Sequence, residues 1–132
     1  MSYALSAALQ SAVFQHLASD PNLAGVAIHD ALPTGTVPQT YVLLGTEEVR
    51  DGSDVSGSGA LHRFIVSVHS DSAGFSSAKQ LAGAVCDGLI NAPMALTRGA
   101  LIGLWFDRAQ ARRMSNGSRR IDLRFRARVE DE

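Results

Sequence analysis

The chain has 132 residues, the size of one domain with a single hydrophobic core and no need of stabilising cross-links. Its formal net charge is −1 at pH 7 and 45% of its residues are hydrophobic, which is ordinary for a soluble globular protein. No apolar run approaches the roughly 20 residues of a membrane-spanning helix, and the first residues lack the basic and apolar regions of a signal peptide. The lone cysteine, Cys86, cannot form an internal disulfide. We therefore expect one domain over residues 1–132, kept in a reducing cytoplasm and outside any membrane.

The first predicted element is a helix from about Tyr3 to Ala18, with Ser2 as its N-cap. Its apolar stripe recurs at helical spacing and includes Leu5, Leu9, Val13 and Leu17. The helix is predicted to end just before Pro21, because the residue that precedes a proline resists the α conformation.

Two strand patterns follow this helix. Residues 26–29 alternate and predict a short edge strand, and residues 41–45 predict a stronger strand that continues weakly to Val49. Residues 50–59 are polar and rich in glycine and serine, so we expect a long hairpin loop there.

A strand and a helix form the centre of the predicted fold. Phe64, Val66 and Val68 fall on one face of a strand over residues 62–69, because side chains alternate along a strand. After a break at residues 70–74, apolar residues at helical spacing predict an amphipathic helix over residues 77–90. We expect this helix to fold back onto the apolar face of the strand that precedes it.

Two strands complete the chain. Residues 101–107 are the most apolar strand, with Ile102, Leu104 and Phe106 predicted to face one way and Trp105 the other. The Asn116-Gly117 pair favours a hairpin turn, and residues 120–129 then alternate between inward apolar and outward charged residues. The element order predicts an α+β fold, with an antiparallel sheet of about four main strands and both helices on one face.

No arrangement of residues in the sequence predicts catalysis. Only two of the four histidines, His62 and His69, share a predicted strand, and their spacing of seven puts them on opposite faces, so they cannot hold one metal ion. Asp51 and Asp54 could coordinate a cation with the serines of their loop, but an ordinary solvated loop is the favoured interpretation. We therefore expect no enzyme activity, no cofactor and no metal site.

Charge is distributed unevenly along the chain. Residues 1–60 carry six acids and one base, a sum of −5, and residues 61–132 carry eleven bases and seven acids, a sum of +4. The outward row Arg120, Arg124, Arg126 and Arg128 has three possible interpretations. It could be a solvent-facing sheet surface with a cationic edge, a contact for an acidic protein face, or a surface for nucleic acid. The outward row holds no aromatic residue beside these arginines, so nucleic acid is not the leading interpretation.

Four segments, taken in order, resemble a known family. They are residues 26–33 after the first helix, residues 38–45, residues 61–70 with the helix that follows, and the closing hairpin that ends in an Arg/Leu/Phe strand. This order resembles the tail-terminator (tail-completion) proteins of long-tailed bacteriophages and of gene transfer agents. Two departures are Gln39-Thr40, which separate Pro38 from Tyr41, and His69, where a tryptophan is common.

The resemblance implies a structural virion protein at the junction of head and tail, assembled in the bacterial cytoplasm. Copies of it would form a ring, six by the resemblance, on the last ring of the tail tube and end tube polymerisation. The other implied partners are the tail tube protein and the head-side connector (stopper) protein, with DNA passing through the ring without sequence recognition. The alternative is a nucleic-acid-binding module that uses the C-terminal arginine face.

A ring is built from heterologous contacts, in which one patch binds a different patch on the next copy. The oppositely charged halves of the chain suit such contacts, so we hypothesise that the arginine strand or its hairpin meets the acidic 46–54 region of another copy or of an adjacent ring. The predicted interface residues are Glu47, Glu48, Asp51 and Asp54 on the acidic side, and Arg112, Arg113, Arg120, Arg124, Arg126 and Arg128 on the basic side.

Overall fold

A computed structural model describes residues 3–31, 35, 39–52, 58–71 and 75–131. Over these residues it confirms the predicted α+β class. The elements in chain order are α1 (Ser6–Ala18), a 3₁₀ turn (Pro21–Leu23), β1 (Ala27–His29), β2 (Thr40–Asp51), β3 (Gly59–Ser70), α2 (Ser76–Leu89), β4 (Ala100–Arg113) and β5 (Arg119–Glu130).

The strands form one sheet in the order β1-β2-β3-β5-β4. The four long strands are antiparallel to their neighbours, as predicted, but the short strand β1 pairs with β2 in parallel over residues 27–29 and 41–43. The sheet is therefore mixed, which the sequence did not predict, because alternation in so short a strand carries no information about its direction.

The arginine strand β5 lies inside the sheet, between β3 and β4. Its interpretation as a cationic edge strand is therefore wrong, and the two edges of the sheet are β1 and β4. Strand order depends on contacts between distant segments, which the alternation within one strand does not specify.

The hydrophobic core lies between one face of the sheet and the two helices. Leu5 just before α1, Leu9 and Leu17 in α1, and Val85 and Leu89 in α2 are all at most 2% exposed. The predicted inward row of β5 is confirmed at 0–4% exposure, and its members are Ile121, Leu123, Phe125, Ala127 and Val129. Among the described residues, no helix is long and apolar enough to cross a bilayer.

Strand β4 departs from its predicted alternation. Of the three residues predicted to share one face, only Leu104 is buried, whereas Ile102 is 53% and Phe106 is 41% exposed. The pairing of β4 with β5 shifts register at Leu101/Gly103 and again at Phe106/Arg108, so β4 has one extra residue at each point. The first shift removes Ile102 from the core face. Phe106 keeps an edge-to-face contact with Phe125, but it lies on the edge strand, where the helix layer ends.

Element boundaries differ from prediction at several ends. Helix α1 begins at Ser6, later than predicted, and Leu5 precedes it without a side-chain cap; Ser2, the predicted cap, lies outside the described residues. Strand β4 continues to Arg113, well beyond the predicted end at Asp107. The polar residues there stay in strand conformation because β5 pairs with them along the whole hairpin.

Candidate interaction surfaces

The sheet face opposite the helices, called the open face below, is strongly basic. Alternation along the paired strands places eight arginines and three acids on it, a sum of +5. The arginines are Arg50, Arg63, Arg108, Arg112, Arg120, Arg124, Arg126 and Arg128, and the acids are Glu48, Asp122 and Glu130.

Asp122 organises one part of the open face. Its carboxylate accepts hydrogen bonds from Ser67 Oγ at 2.8 Å, Arg120 Nε at 2.7 Å and Arg112 Nη2 at 3.2 Å. Burial alone would raise the pKa of Asp122, but these hydrogen bonds and the two positive charges outweigh it and leave the pKa below its ordinary value. Two of the predicted interface residues, Arg112 and Arg120, are therefore partly neutralised within their own subunit.

Four other arginines of the open face have no carboxylate at ion-pair distance among the described residues. They are Arg63, Arg108, Arg124 and Arg126, and Arg126 lies over the Trp105 ring at 5.7 Å. The first three line a cleft of about 500 Å³ together with Glu48 and Asp107. Guanidinium groups bind carboxylate and phosphate in strong, often paired hydrogen bonds, so this cluster is suited to an anionic partner.

The predicted acidic residues do not act as one group. Glu47 faces the helix layer, where it accepts hydrogen bonds from Tyr3 Oη and Ser6 Oγ, and His62 Nδ1 lies 3.5 Å from its Oε2. Glu48 lies on the open face and pairs with the exposed Arg50 at 2.7 Å. Asp51 ends β2 and is exposed, and Asp54 lies outside the described residues.

The acidic end of β2 and the arginine hairpin lie at opposite ends of the sheet. Residues 47–51 of β2 pair with residues 60–64 of β3, whereas the hairpin leaves the sheet beside Ser70, at the other end of β3. Arg124 nevertheless lines the cleft that holds Glu48, so part of the predicted basic group does lie near the acidic end of β2 within one subunit. Contact between the hairpin arginines Arg112 and Arg113 and that end of β2 requires two copies, as the heterologous arrangement assumes.

Two functional features were missed in the sequence. Arg63 and Arg108 join the unpaired arginine cluster, and the alternation of β3 around Phe64 could have placed Arg63 on the open face. The position of Arg108 could not have been found, because it depends on the bulge at Phe106/Arg108. The second feature is the contact of Glu47 with helix α1, for which the sequence carries no signal.

The contacts of Glu47 give a prediction about stability. Burial alone would raise its pKa, but the hydrogen bonds from Ser6, Tyr3 and His62 outweigh it, so the pKa is lowered on folding. A lowered pKa in the folded state adds stability that is present above the unfolded pKa and is lost as the pH falls through the folded pKa. We expect Glu47→Gln to lose about 1–2 kcal/mol of unfolding free energy at pH 7.

Urea unfolding of the wild type and of Glu47→Gln at pH 7 and near pH 3 would measure this difference. The gap should narrow as the pH is lowered, because the stability contributed by the Glu47 carboxylate is lost as the pH falls through its folded pKa. Glu48→Gln is the matched control, since its carboxylate pairs only at the exposed surface. An equal loss in both variants would contradict a special role for Glu47.

His62 and His69 lie on opposite faces of β3, as predicted. His62 is fully buried on the helix side, whereas His69 lies on the open face and stacks on Tyr41 with ring centroids 4.6 Å apart. Within the described part of the chain, no group of three or more His, Cys, Asp or Glu side chains is placed to hold a metal ion.

Comparison with known proteins adds the following similarities. Residues 11–130 match the model of a family described as tail completion protein gp17. A solved chain from the virion of a native gene transfer agent particle is 53% identical, with a TM-score of 0.91, over 98% of this chain and 99% of that one. A second solved chain is 14% identical with a TM-score of 0.60, over 100% of this chain and 98% of that one, which is a likeness of fold alone. No curated protein sequence matches.

Proposed function

The chain belongs to the tail completion protein gp17 family, and from that premise we propose that its copies form a ring that caps the tail tube. The protein has a structural role in the virion tail. The ring, of six copies, ends polymerisation of the tail tube protein and offers its other face to the head-side connector. DNA passes through the opening without sequence recognition, and assembly takes place in the bacterial cytoplasm.

The similarity to a chain of the gene transfer agent virion, over nearly the whole length, is the observation that carries this proposal. The surfaces of the subunit support it. One side is a helix layer in which α1 has no charged residue, and the other is a basic sheet face, so the two sides fit different partners. The acidic end of β2 and the arginine hairpin lie far apart, which favours head-to-tail contacts between copies. None of these roles needs a catalytic site.

Nucleic-acid binding by the open face is a second candidate function. It is favoured by one observation, the cluster of Arg63, Arg108, Arg124 and Arg126 without carboxylate partners among the described residues. Glu48 and Asp107 line the same cleft and would repel phosphate groups. A tail protein whose ring surrounds DNA can use the same arginines without being an independent DNA-binding module.

Removal of the protein tests the proposed function directly. We expect particles produced without it to show tails of abnormal length or tails separated from heads in negative-stain electron microscopy. The physical reason is that an uncapped tube end keeps an exposed surface for further subunits. Restoring the wild-type gene is the control, and normal heads joined to tails of normal length in its absence would reject the function.

A further inference from the structure

We propose that neighbouring copies in the ring join edge to edge, with the free end of β4 in one copy adding as a strand beside the free end of β2 in the next. This inference rests on the proposed ring and names the contact that closes it. It follows from the unpaired backbone groups, the charges and the positions of two strand edges.

Among the described residues, the outer edge of β2 is covered at its beginning by β1, which pairs with residues 41–43. Between Leu44 and Arg50, no described backbone group pairs with β2 on that side. Gly52 N donates to Gly59 O at 2.8 Å, and hydrogen-bonded pairs alternate along an antiparallel ladder. The N–H and C=O groups of Glu47 and Val49 therefore point away from β3, toward the outer edge.

The outer edge of β4 is free over its second half. Asn91 N donates to Leu104 O at 3.0 Å, and past that contact no described backbone group pairs with this edge. Met114 N donates to Ser118 O at 2.8 Å, so the same alternation points the N–H and C=O groups of Ala109 and Ala111 outward. Residues 105–113 are all exposed, so a second strand can approach them.

The two free edges carry opposite charges. An antiparallel junction with Val49 opposite Ala111 places Glu48 opposite Arg112 on the open face and Glu47 opposite Arg113 on the helix side. The pair of Glu48 with Arg50 is more than half exposed on both partners, so giving it up costs little. Arg112 is 47% exposed in its pair with Asp122, and Asp122 keeps its hydrogen bonds from Arg120 and Ser67 when Arg112 turns to a neighbouring copy. Pairing of β4 with another β4 would instead bring together two segments that carry Arg108, Arg112 and Arg113 and no acid over residues 108–113, and this like charge disfavours it.

The directions of the strands agree with this junction. β2 and β4 are separated by three antiparallel pairings, so they run in opposite directions within one subunit. A copy related by rotation about a ring axis therefore presents its β2 antiparallel to the β4 of its neighbour. Antiparallel pairing is also the arrangement of the four long strands inside each sheet.

The offset along the strand direction between the two paired edge segments allows a ring to close. Val49 lies in the same row as Leu104 and Ala127, whereas Ala111 lies in the row of Ile121. Measured along the strands, these two rows are about 20 Å apart. Measured across the strands, the β2 of one copy and the β2 of the next are four strand spacings apart, about 19 Å. The strands would then tilt by roughly 45° from the ring axis, at the upper end of the range found in closed barrels.

Proline at position 111 tests the contact with little change inside the subunit. Ala111 is exposed and its N–H points outward, so Ala111→Pro removes no hydrogen bond of the sheet but blocks a partner strand. When Ala111→Pro replaces the wild type, we expect the yield of complete particles to fall about tenfold or more. The pyrrolidine ring of the proline would occupy the space that the added strand needs. Ala111→Val keeps the N–H and is the matched control, with a yield near that of the wild type.

The outcomes separate this contact from the proposed function. A normal yield of complete particles with a folded Ala111→Pro would overturn edge pairing, while defective particles in the absence of the protein would still support the capping role. Normal particles without the protein would overturn the capping role itself. Thermal unfolding of the purified variants shows whether Ala111→Pro is folded.

A cross-linking measurement decides the question if the proline variant does not fold. Glu48→Cys with Arg112→Cys, in a Cys86→Ser background, places two thiols on facing residues whose Cα atoms would be about 4.5 Å apart, close enough for a disulfide. Oxidation of assembled particles should give covalent ladders of this protein. Arg50→Cys with Arg112→Cys is the control that should give few. Ladders in the control but not in the facing pair would overturn the proposed register. No ladders in either pair would overturn the edge contact.

Discussion

Replacing Phe125 with alanine is expected to lower the free energy of unfolding by about 3–5 kcal/mol. The side chain is fully buried in β5, stacks on Phe64 at 5.7 Å between ring centroids, and meets Phe106 edge to face at 6.1 Å. Because β5 lies inside the sheet, the cavity would open where two neighbouring strands and the helix layer meet. A domain of this size has about 5–15 kcal/mol in total, so the variant should be marginally stable.

Equilibrium unfolding in urea measures this loss, and Phe106→Ala is the matched control. Phe106 is 41% exposed on the edge strand, so its truncation should cost roughly 1 kcal/mol, with less apolar area removed from the core. Equal losses in the two variants would contradict the position of the helix layer described here, since that layer covers Phe125 and leaves Phe106 at its border.

Reversing the charge of Arg124 and Arg126 together is expected to abolish assembly while leaving the subunit folded. Neither side chain has a carboxylate partner among the described residues, so the subunit loses only the contact of Arg126 with Trp105, about 0.5–1 kcal/mol. An acidic partner would then meet two like charges, and disrupting a close charge pair at an interface costs about 2–5 kcal/mol. The yield of complete particles and the presence of rings by electron microscopy measure the effect.

A control with the same change in net charge shows whether position matters. Lys79→Glu with Arg98→Glu alters two exposed bases that do not belong to the open face, and it should assemble normally. Normal assembly by the Arg124 and Arg126 variant would remove the open face from the interface. Duplex DNA binding by the wild type, with a log-affinity slope near −0.9 per phosphate contact against log salt and lost in the variant, would favour the nucleic-acid alternative.

The sequence predicted much of the fold because its periodicities are strong. The unbroken alternation of β5 identified five core residues correctly, and the helical spacing of residues 77–90 located α2 within one residue at each end. The same reasoning failed for Ile102, since a bulge changes the face of a residue without a signal in the hydrophobic pattern. Phe106 faces the same way as Leu104, as predicted, but it is exposed because it lies on the edge strand.

The candidate surfaces could be predicted only in part. The distribution of charges along the sequence located the basic C-terminal strand and the acidic end of β2. It did not show which of these charged side chains are already bound within the subunit. In the structure, Glu47 accepts hydrogen bonds from Tyr3 and from Ser6 at the start of helix α1, and Asp122 partly neutralises Arg112 and Arg120. Such pairings join residues from different elements, so no local pattern in the chain could have revealed them.

By itself, the sequence determined the fold class, the inward row of β5, the separation of the chain into an acidic and a basic part, and a likeness to tail-completion proteins. The tertiary structure alone decided the strand order, the parallel direction of β1, the internal position of β5 and the two strand edges left without partners. The physical reason is that hydrophobic periodicity fixes which face of an element is buried, whereas the neighbour of each strand depends on packing between segments far apart in the chain.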